Sequence, residues 1–192
     1  MFADIGLGII AAIVTSFLFE VDLSNGLVFG GVIFTLLPDI DALASLLKKK
    51  TFLILHEHRQ FPHKPLAMIP LAVAIAFLFG PHWAFLVGFS LFLHLLHDSI
   101  GIGWGVQWLW PFSKDYFSFF YLFQPKNRLT IPGKKFGIYR FKESELAYLE
   151  ENFGDPNWVK NIYFKFHPYS IAEFLIFVGA VIWLFSLFRI YA

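Results

Sequence analysis

Three short patches of acids and imidazoles hold most of the metal-competent side chains of this chain. They are Pro38-Asp39-Ile40-Asp41, the stretch from His56 to His63, and the stretch from His94 to Asp98. Five of the seven histidines lie in the last two patches. Each patch lies where an apolar segment ends, and such groups are costly near hydrocarbon unless they pair, ligate a metal or reach water. Their recurrence predicts one polar site, assembled from distant parts of the chain at a membrane surface.

The third patch has helical spacing. His94 and Asp98 are four residues apart, so on a helix they share one face, and His97 lies close to that face. An imidazole and a carboxylate at this spacing can hold zinc or manganese from two adjacent turns. The alternative is a His–Asp hydrogen bond that stabilises a helix end, and the pattern taken alone favours it.

The first patch places two carboxylates at a helix break. Residues two apart on a regular helix point in nearly opposite directions, but in a bent turn Asp39 and Asp41 can both approach a metal. The alternative is that Asp39 is the N-cap of a short helix over 40–47 and Asp41 is a favourable acid in its first turn. Ligation by one carboxylate is compatible with that capping role.

The second patch is a loop in which prolines limit the backbone. Such a loop can turn the imidazoles of His58 and His63 toward one point. Arg59 offers a planar fork that suits phosphate or carboxylate oxygens, and with the weaker candidate Glu57 it makes up the predicted catalytic pair. The alternative is a solvated basic loop that touches anionic lipid headgroups.

The composition is that of a membrane protein. The 192 residues are 57% hydrophobic, 20% aromatic and 15% charged, whereas a soluble domain is about 45–50% apolar and about 25% charged. The chain contains no cysteine, which excludes disulfides and thiolate metal ligands. The net charge of +1 indicates no particular partner. We expect membrane lipids as partners and no nucleic acid, and the oligomeric state stays open.

Five apolar runs can position the patches, over residues 5–19, 27–37, 66–79, 83–93 and 171–188. We expect an all-α integral membrane protein with about five helical segments in or at the membrane. A cytoplasmic α+β insert is expected between the fourth and fifth segments. The runs are short, because about 20 residues are needed to span the hydrocarbon core. The second run can therefore be a half-span.

The expected organisation has three parts: a membrane-embedded metal-site core over 1–112, a cytoplasmic or interfacial insert over 113–168, and a C-terminal transmembrane helix over 169–192. Within the insert we predict a hairpin in which residues 129–131 pair with 136–141 around a turn at 132–135. Two helices are predicted to follow it: one from Ser144 to Gly154, and one over 157–166 that begins at Asp155 and Pro156.

The basic residues predict the topology. Of the fifteen Lys and Arg residues, fourteen lie in residues 48–64 and 101–168. An arrangement of five segments puts both stretches on one side, and the positive-inside rule makes that side cytoplasmic. The same arrangement brings all three polar patches to that side. We therefore expect a multi-pass protein of the cell inner membrane with its site on the cytoplasmic side.

Together the patches resemble a known family. The motifs that carry the resemblance are Leu36-Leu37-Pro38-Asp39-Ile40-Asp41, His58-Arg59-x-x-x-His63, His94-x-x-x-Asp98 and Trp110-Pro111-Phe112. Their order and spacing over residues 1–125 are similar to the YdjM-type family of membrane-bound metal-dependent hydrolases. The resemblance implies a bacterial or archaeal inner-membrane protein with metal ligands at Asp39, Asp41, His58, His63, His94 and Asp98. Pro62 and Lys64 stand where the family loop has Thr and Ser.

The leading hypothesis is a membrane hydrolase that acts on a phosphoester, with a lipid-derived phosphoester favoured, through a water activated by a divalent metal, zinc or manganese. We expect Asp39, His63, His94 and Asp98 to share one metal ion. The alternative is a non-enzymatic membrane protein, either a metal or ion transporter or a scaffold. Transporters place polar sites near the midplane within broken helices, and the break at Pro38 is compatible with that alternative.

Overall fold

The structure is a computed structural model, and it describes residues 2–40, 61–101, 103–120, 134–135 and 137–191. The helices in these ranges are α1 (Phe2–Phe19), α2 (Asn25–Leu36), α3 (Pro65–Phe77), α4 (Pro81–Asp98), α5 (Leu146–Phe153), α6 (Trp158–Tyr163) and α7 (Pro168–Tyr191). The strands are β1 (Tyr116–Phe119), β2 (Lys134–Lys135) and β3 (Ile138–Phe141). Short 3-10 turns cover Leu37–Asp39, Phe61–His63 and Glu143–Glu145.

Each of the five apolar runs forms a helix, but five membrane spans are not confirmed. Within the described residues, two helices are long and apolar enough to cross a membrane: α1 and α7. Helix α2 has 12 residues, which at 1.5 Å per residue is about 18 Å and too short for a hydrocarbon core of about 30 Å. Helix α3 is also short, and α4 has 18 residues but includes three histidines. The protein is thus mostly helical with a small sheet.

The chain divides into two compact units, and the first comprises Met1–Pro38, Ile69–His94 and Pro168–Ala192. In this unit α1 packs against both α2 and α7. Its apolar core contains Ile9, Ile13, Ala180 and Leu187 in one cluster and Ala11, Ala12, Leu27 and Leu86 in another. The three-part division expected from the sequence stays a prediction.

Glycines allow α1 to approach its neighbours closely. A Cβ added at Gly8 would lie 2.6 Å from the Cα of Val32 on α2, and one added at Gly31 would collide with the carbonyl oxygen of Gly8. On the α7 side, a Cβ at Gly6 would lie 2.9 Å from the Cα of Phe177. Small residues at such contacts let helix backbones pack closely, as membrane helices commonly do.

Large apolar side chains on α7 face outward. Leu175, Ile182 and Phe185 are 62%, 63% and 65% exposed. Exposed apolar surface on this scale marks contact with lipid or a partner. Because α7 is also long enough to cross a membrane, its outward face suits the hydrocarbon core.

The second compact unit comprises Asp39–Met68 and Leu95–His167 and contains the sheet. The three strands are antiparallel in the order β1-β3-β2. Side chains alternate between the two faces of β1 and β3, as a half-buried sheet requires. The buried side chains of the sheet, Tyr116, Tyr139 and Phe141, form a core with Leu146 and Leu149 of α5.

The predicted hairpin is wrong in its turn. Lys134 and Lys135 form strand β2 and not a turn, and Gly137, with a φ of +83°, lies in the turn that leads into β3. Residues 129–133 lie outside the described part of the chain. Strand β1 was not predicted, and it pairs with β3 along its whole length. Its aromatic sequence gains its strand structure from this long-range pairing, which local patterns do not reveal.

The two helices expected near the end of the insert are present with different bounds. Helix α5 ends before Gly154 as predicted. Helix α6 begins after Asn157 and is shorter than expected, because Phe164, with a φ of −104° and a ψ of 5°, already leaves helical geometry. Asp155 is not the N-cap, but its carboxylate accepts hydrogen bonds from the Asn157 backbone at 2.9 Å and the Asn161 amide at 2.6 Å.

Candidate metal site

Helix α4 positions the third patch. It runs without interruption from Pro81 to Asp98, so His94 and Asp98 lie one turn apart on one face. His94 is buried, with 1% of its surface exposed. Asp98 is the last residue of the helix, and 19% of its side chain is exposed.

The first patch follows the end of α2. Pro38 has no backbone N–H to donate, and there the α-helix changes into the 3-10 turn Leu37–Asp39. This turn carries Asp39, whose side chain is 47% exposed. The short helix predicted over 40–47 falls mostly on residues 41–60, which lie outside the described part of the chain.

His63 joins the carboxylates of the first and third patches. It ends the 3-10 turn Phe61–His63, and it is 3% exposed. Its Nε2 atom lies 3.1 Å from Oδ2 of Asp98 and 3.7 Å from Oδ1 of Asp39. One imidazole nitrogen therefore lies close to two carboxylates that are distant in the sequence.

Four residues form a group that can hold a metal ion. One ligand atom from each of Asp39, His63, His94 and Asp98 lies within 4.8 Å of the other three. Ligand atoms around a tetrahedral zinc ion, at bond lengths of about 2.0–2.2 Å, are about 3.3–3.6 Å apart. The His63 distances of 3.1 and 3.7 Å lie on either side of that spacing. Two imidazoles and two carboxylates are also a donor set that suits a divalent transition metal, so these residues fit the ion.

A fifth residue, Asp4, contacts this group through His94. Oδ1 of Asp4 lies 3.2 Å from Nδ1 of His94, and the two side chains are 3% and 1% exposed. Sequence reasoning missed Asp4, because it treated the first helix only as an apolar segment. The available signal was an acid directly before the run at 5–19, since an acid at the end of a membrane helix usually has a functional partner.

The structure does not test the remaining predicted metal ligands and catalytic residues. Asp41, Glu57, His58 and Arg59 lie in 41–60, outside the described residues. His97 is on α4 but is not one of the four residues that converge. His82 and His167, which the sequence set apart, are also not among the four.

Lys64 provides a positive charge next to His63 in the sequence. Its Nζ atom lies 4.5 Å from the centroid of a Trp110 ring, within the range of a cation–π interaction. Trp110 belongs to the Trp-Pro-Phe motif, so the structure connects two of the segments that carried the family resemblance.

The helices and the His/Asp group define a mostly helical membrane protein with a candidate metal site. A model of the YdjM inner membrane protein family matches residues 3–189. The chain therefore belongs to this family, and the match extends well beyond residues 1–125, which contain the motifs of the resemblance. No match was found among curated proteins or among solved structures.

Proposed function

We propose that this protein is a membrane-bound hydrolase in which Asp39, His63, His94 and Asp98 hold a catalytic divalent metal ion. The observation that carries the proposal is the convergence of these four side chains, from three separate segments, to within 4.8 Å. The donor atoms suit zinc or manganese. When bound, such an ion brings the pKa of a coordinated water close to neutrality and so supplies a nucleophile.

The four residues are unequally exposed, which supports a site with one open side. His63 and His94 are buried, whereas about half of the Asp39 side chain is exposed. The two buried imidazoles hold the ion from the side that solvent does not reach. A substrate and water can approach from the side of Asp39. A coordinated water would take a fifth position beside the four residues, because a catalytic metal site keeps one coordination position open.

The proposed substrate is a phosphoester, with a lipid-derived phosphoester favoured. Lys64 is a cation directly beside His63 in the chain, and Trp110, over which its ammonium lies, is a residue type enriched at the headgroup layer. A positive charge at that depth attracts phosphate groups. Arg59 is proposed to add a second cation with bidentate geometry.

The proposed location of the site is the cytoplasmic face of the inner membrane. Two observations support it. Fourteen of the fifteen Lys and Arg residues lie in two stretches that a multi-pass arrangement places on one side. Asp98 also ends α4 and Asp4 lies in the first turn of α1, so residues at and around the site lie at helix ends and not at helix centres.

The competing function is transport of a metal or another ion. The 3-10 turn Leu37–Asp39, which follows α2 and carries a candidate ligand, resembles the broken helices of transporters. The position of the ligands at helix ends favours the hydrolase, because transporter sites usually lie near the membrane midplane.

The test is a hydrolysis assay on protein purified without chelator and reconstituted in lipid nanodiscs. The assay compares phosphate monoesters and diesters, including phosphatidic acid and phosphatidylglycerol, with carboxylic esters of the same chain length. We expect metal-dependent release of phosphate or of a phosphoalcohol, which His63→Ala nearly abolishes and His82→Ala leaves unchanged. A metal-loaded protein that hydrolyses none of these esters but moves the ion across vesicles would replace the hydrolase with the transporter.

A further inference from the structure

We propose that Asp4 is a positioning residue that orients His94 for metal binding and selects its tautomer. The inference rests on the proposed metal site and extends it to α1, which contributes none of the four candidate ligands. The supporting contact is the 3.2 Å distance between Oδ1 of Asp4 and Nδ1 of His94. The two residues are 90 positions apart in the sequence, so only the fold brings them together.

Burial makes this contact strong. Asp4 is 2% exposed and His94 is 1% exposed. A buried carboxylate needs hydrogen-bond donors, because removing it from water is costly otherwise. The imidazole N–H is such a donor, and the N-terminal end of α1, where Asp4 lies in the first turn, also stabilises negative charge.

The contact determines which ring nitrogen can ligate. A carboxylate accepts hydrogen bonds, so Nδ1 of His94 carries the ring proton and donates a hydrogen bond to Asp4. Nε2 then keeps its lone pair and is the atom with which a neutral imidazole binds a metal. Metal-ligating histidines commonly donate their other N–H to a carboxylate in this way, which fixes the ring orientation and strengthens the ligand.

Helix packing holds Asp4 in place. Gly6 and Gly8, within four residues of Asp4, are the close-contact points of α1 with α7 and α2. A helix packed this closely at its N-terminal half cannot easily shift along its axis. Asp4 therefore holds the His94 ring in a fixed orientation. Asp4 itself is not one of the four residues whose ligand atoms converge.

The experiment measures metal affinity and histidine tautomers in Asp4→Asn, Asp4→Glu and His94→Ala. Asp22→Asn is the matched control, because Asp22 is an exposed acid in the turn just after α1. Co²⁺ is titrated into the chelator-treated full-length protein in nanodiscs and followed by its visible absorption. Nitrogen-15 spectra of histidine-labelled, metal-free protein report which ring nitrogen of His94 is protonated.

We expect Asp4→Asn to weaken Co²⁺ binding by about 10- to 100-fold, the usual effect of losing an outer carboxylate. Asp4→Glu should lose less Co²⁺ affinity than Asp4→Asn, and Asp22→Asn should bind Co²⁺ as tightly as the wild-type protein does. The absorption spectrum at saturation should retain the same ligand number in Asp4→Asn, because no ligand is removed. In metal-free wild-type protein, His94 should be protonated at Nδ1.

Three results would overturn the proposal. One is that Asp4→Asn binds Co²⁺ with wild-type affinity although His94→Ala no longer binds the ion. Another is the loss of one oxygen ligand in Asp4→Asn, which would make Asp4 a ligand itself. The third is protonation of His94 at Nε2 in the wild-type protein, and this measurement needs neither a folded variant nor bound metal. If the wild-type protein binds no Co²⁺ but shows the Nδ1 tautomer, the proposed metal function fails and the Asp4–His94 orientation stands.

Discussion

Nε2 of His63 lies 3.1 Å from Oδ2 of Asp98, and the two residues lie at the two ends of one helical hairpin. His63 comes just before α3, and Asp98 is the last residue of α4. The tight turn at Gly80, with a φ of +119°, reverses the chain between the two helices. The hairpin thus returns Asp98 to His63, and this return is what assembles ligands that are far apart in the sequence.

Close packing between α1 and α2 predicts a sharp difference among glycine substitutions. Gly31→Ala should destabilise the protein by about 1–3 kcal/mol, the usual cost of overpacking, because its Cβ would collide with the carbonyl oxygen of Gly8. Gly179→Ala on α7 is the control, since an added Cβ there meets nothing within 4 Å. Thermal unfolding in detergent, followed by circular dichroism, measures both. Equal melting temperatures for the two variants would contradict the close contact.

The basic stretches predict which side of the membrane each segment faces. The chain has no cysteine, so single cysteines can be introduced cleanly at Lys49, at Lys114 and at Asp22. Lys49→Cys and Lys114→Cys should be shielded from an impermeant thiol reagent in intact cells and react after lysis. Asp22→Cys should react in intact cells. Labelling of either lysine position from outside would contradict the topology.

The Lys64–Trp110 contact predicts a modest effect on substrate binding. Lys64→Gln should raise KM for a phosphoester by about 2- to 5-fold with kcat nearly unchanged, the size expected from an accessible charge worth about 0.5–1 kcal/mol. Lys114→Gln is the control, because that side chain is 75% exposed and pairs with Glu143. Steady-state kinetics at low ionic strength separate KM from kcat. A loss confined to kcat would show that Lys64 does not act through substrate binding.

Spacing and segment ends were informative about the site because they carry local geometry. The four-residue separation of His94 and Asp98 predicted a shared helix face, and α4 has that geometry. The apolar runs predicted the helices, and the ends of those runs marked where the polar residues lie. The convergence of Asp39, His63, His94 and Asp98 was predicted from assigning every patch to one side of the membrane; the four residues do converge, and the membrane side stays a prediction.

Long-range contacts explain what the sequence did not reveal. In the sequence, Asp4 is a single acid at the start of an apolar helix, and its partner His94 lies 90 residues away. The Tyr and Phe residues of strand β1 suit a strand, but its partner β3 lies 19 to 25 residues further along the chain. The sequence also did not give the number of membrane spans. The lengths that separate α1 and α7 from the shorter α2 and α3 are known only once the helix bounds are known.

The most direct test of the metal site is elemental analysis of protein purified without chelator, across single alanine variants. The wild-type protein should hold about one divalent ion per chain, and Asp39→Ala, His63→Ala, His94→Ala and Asp98→Ala should each lose most of it, because neighbouring side chains cannot close an opened ligand set. His82→Ala and His167→Ala should retain it, since neither residue belongs to the group. Full metal occupancy in both His94→Ala and Asp98→Ala would contradict the site and leave these two residues as a stabilised helix end.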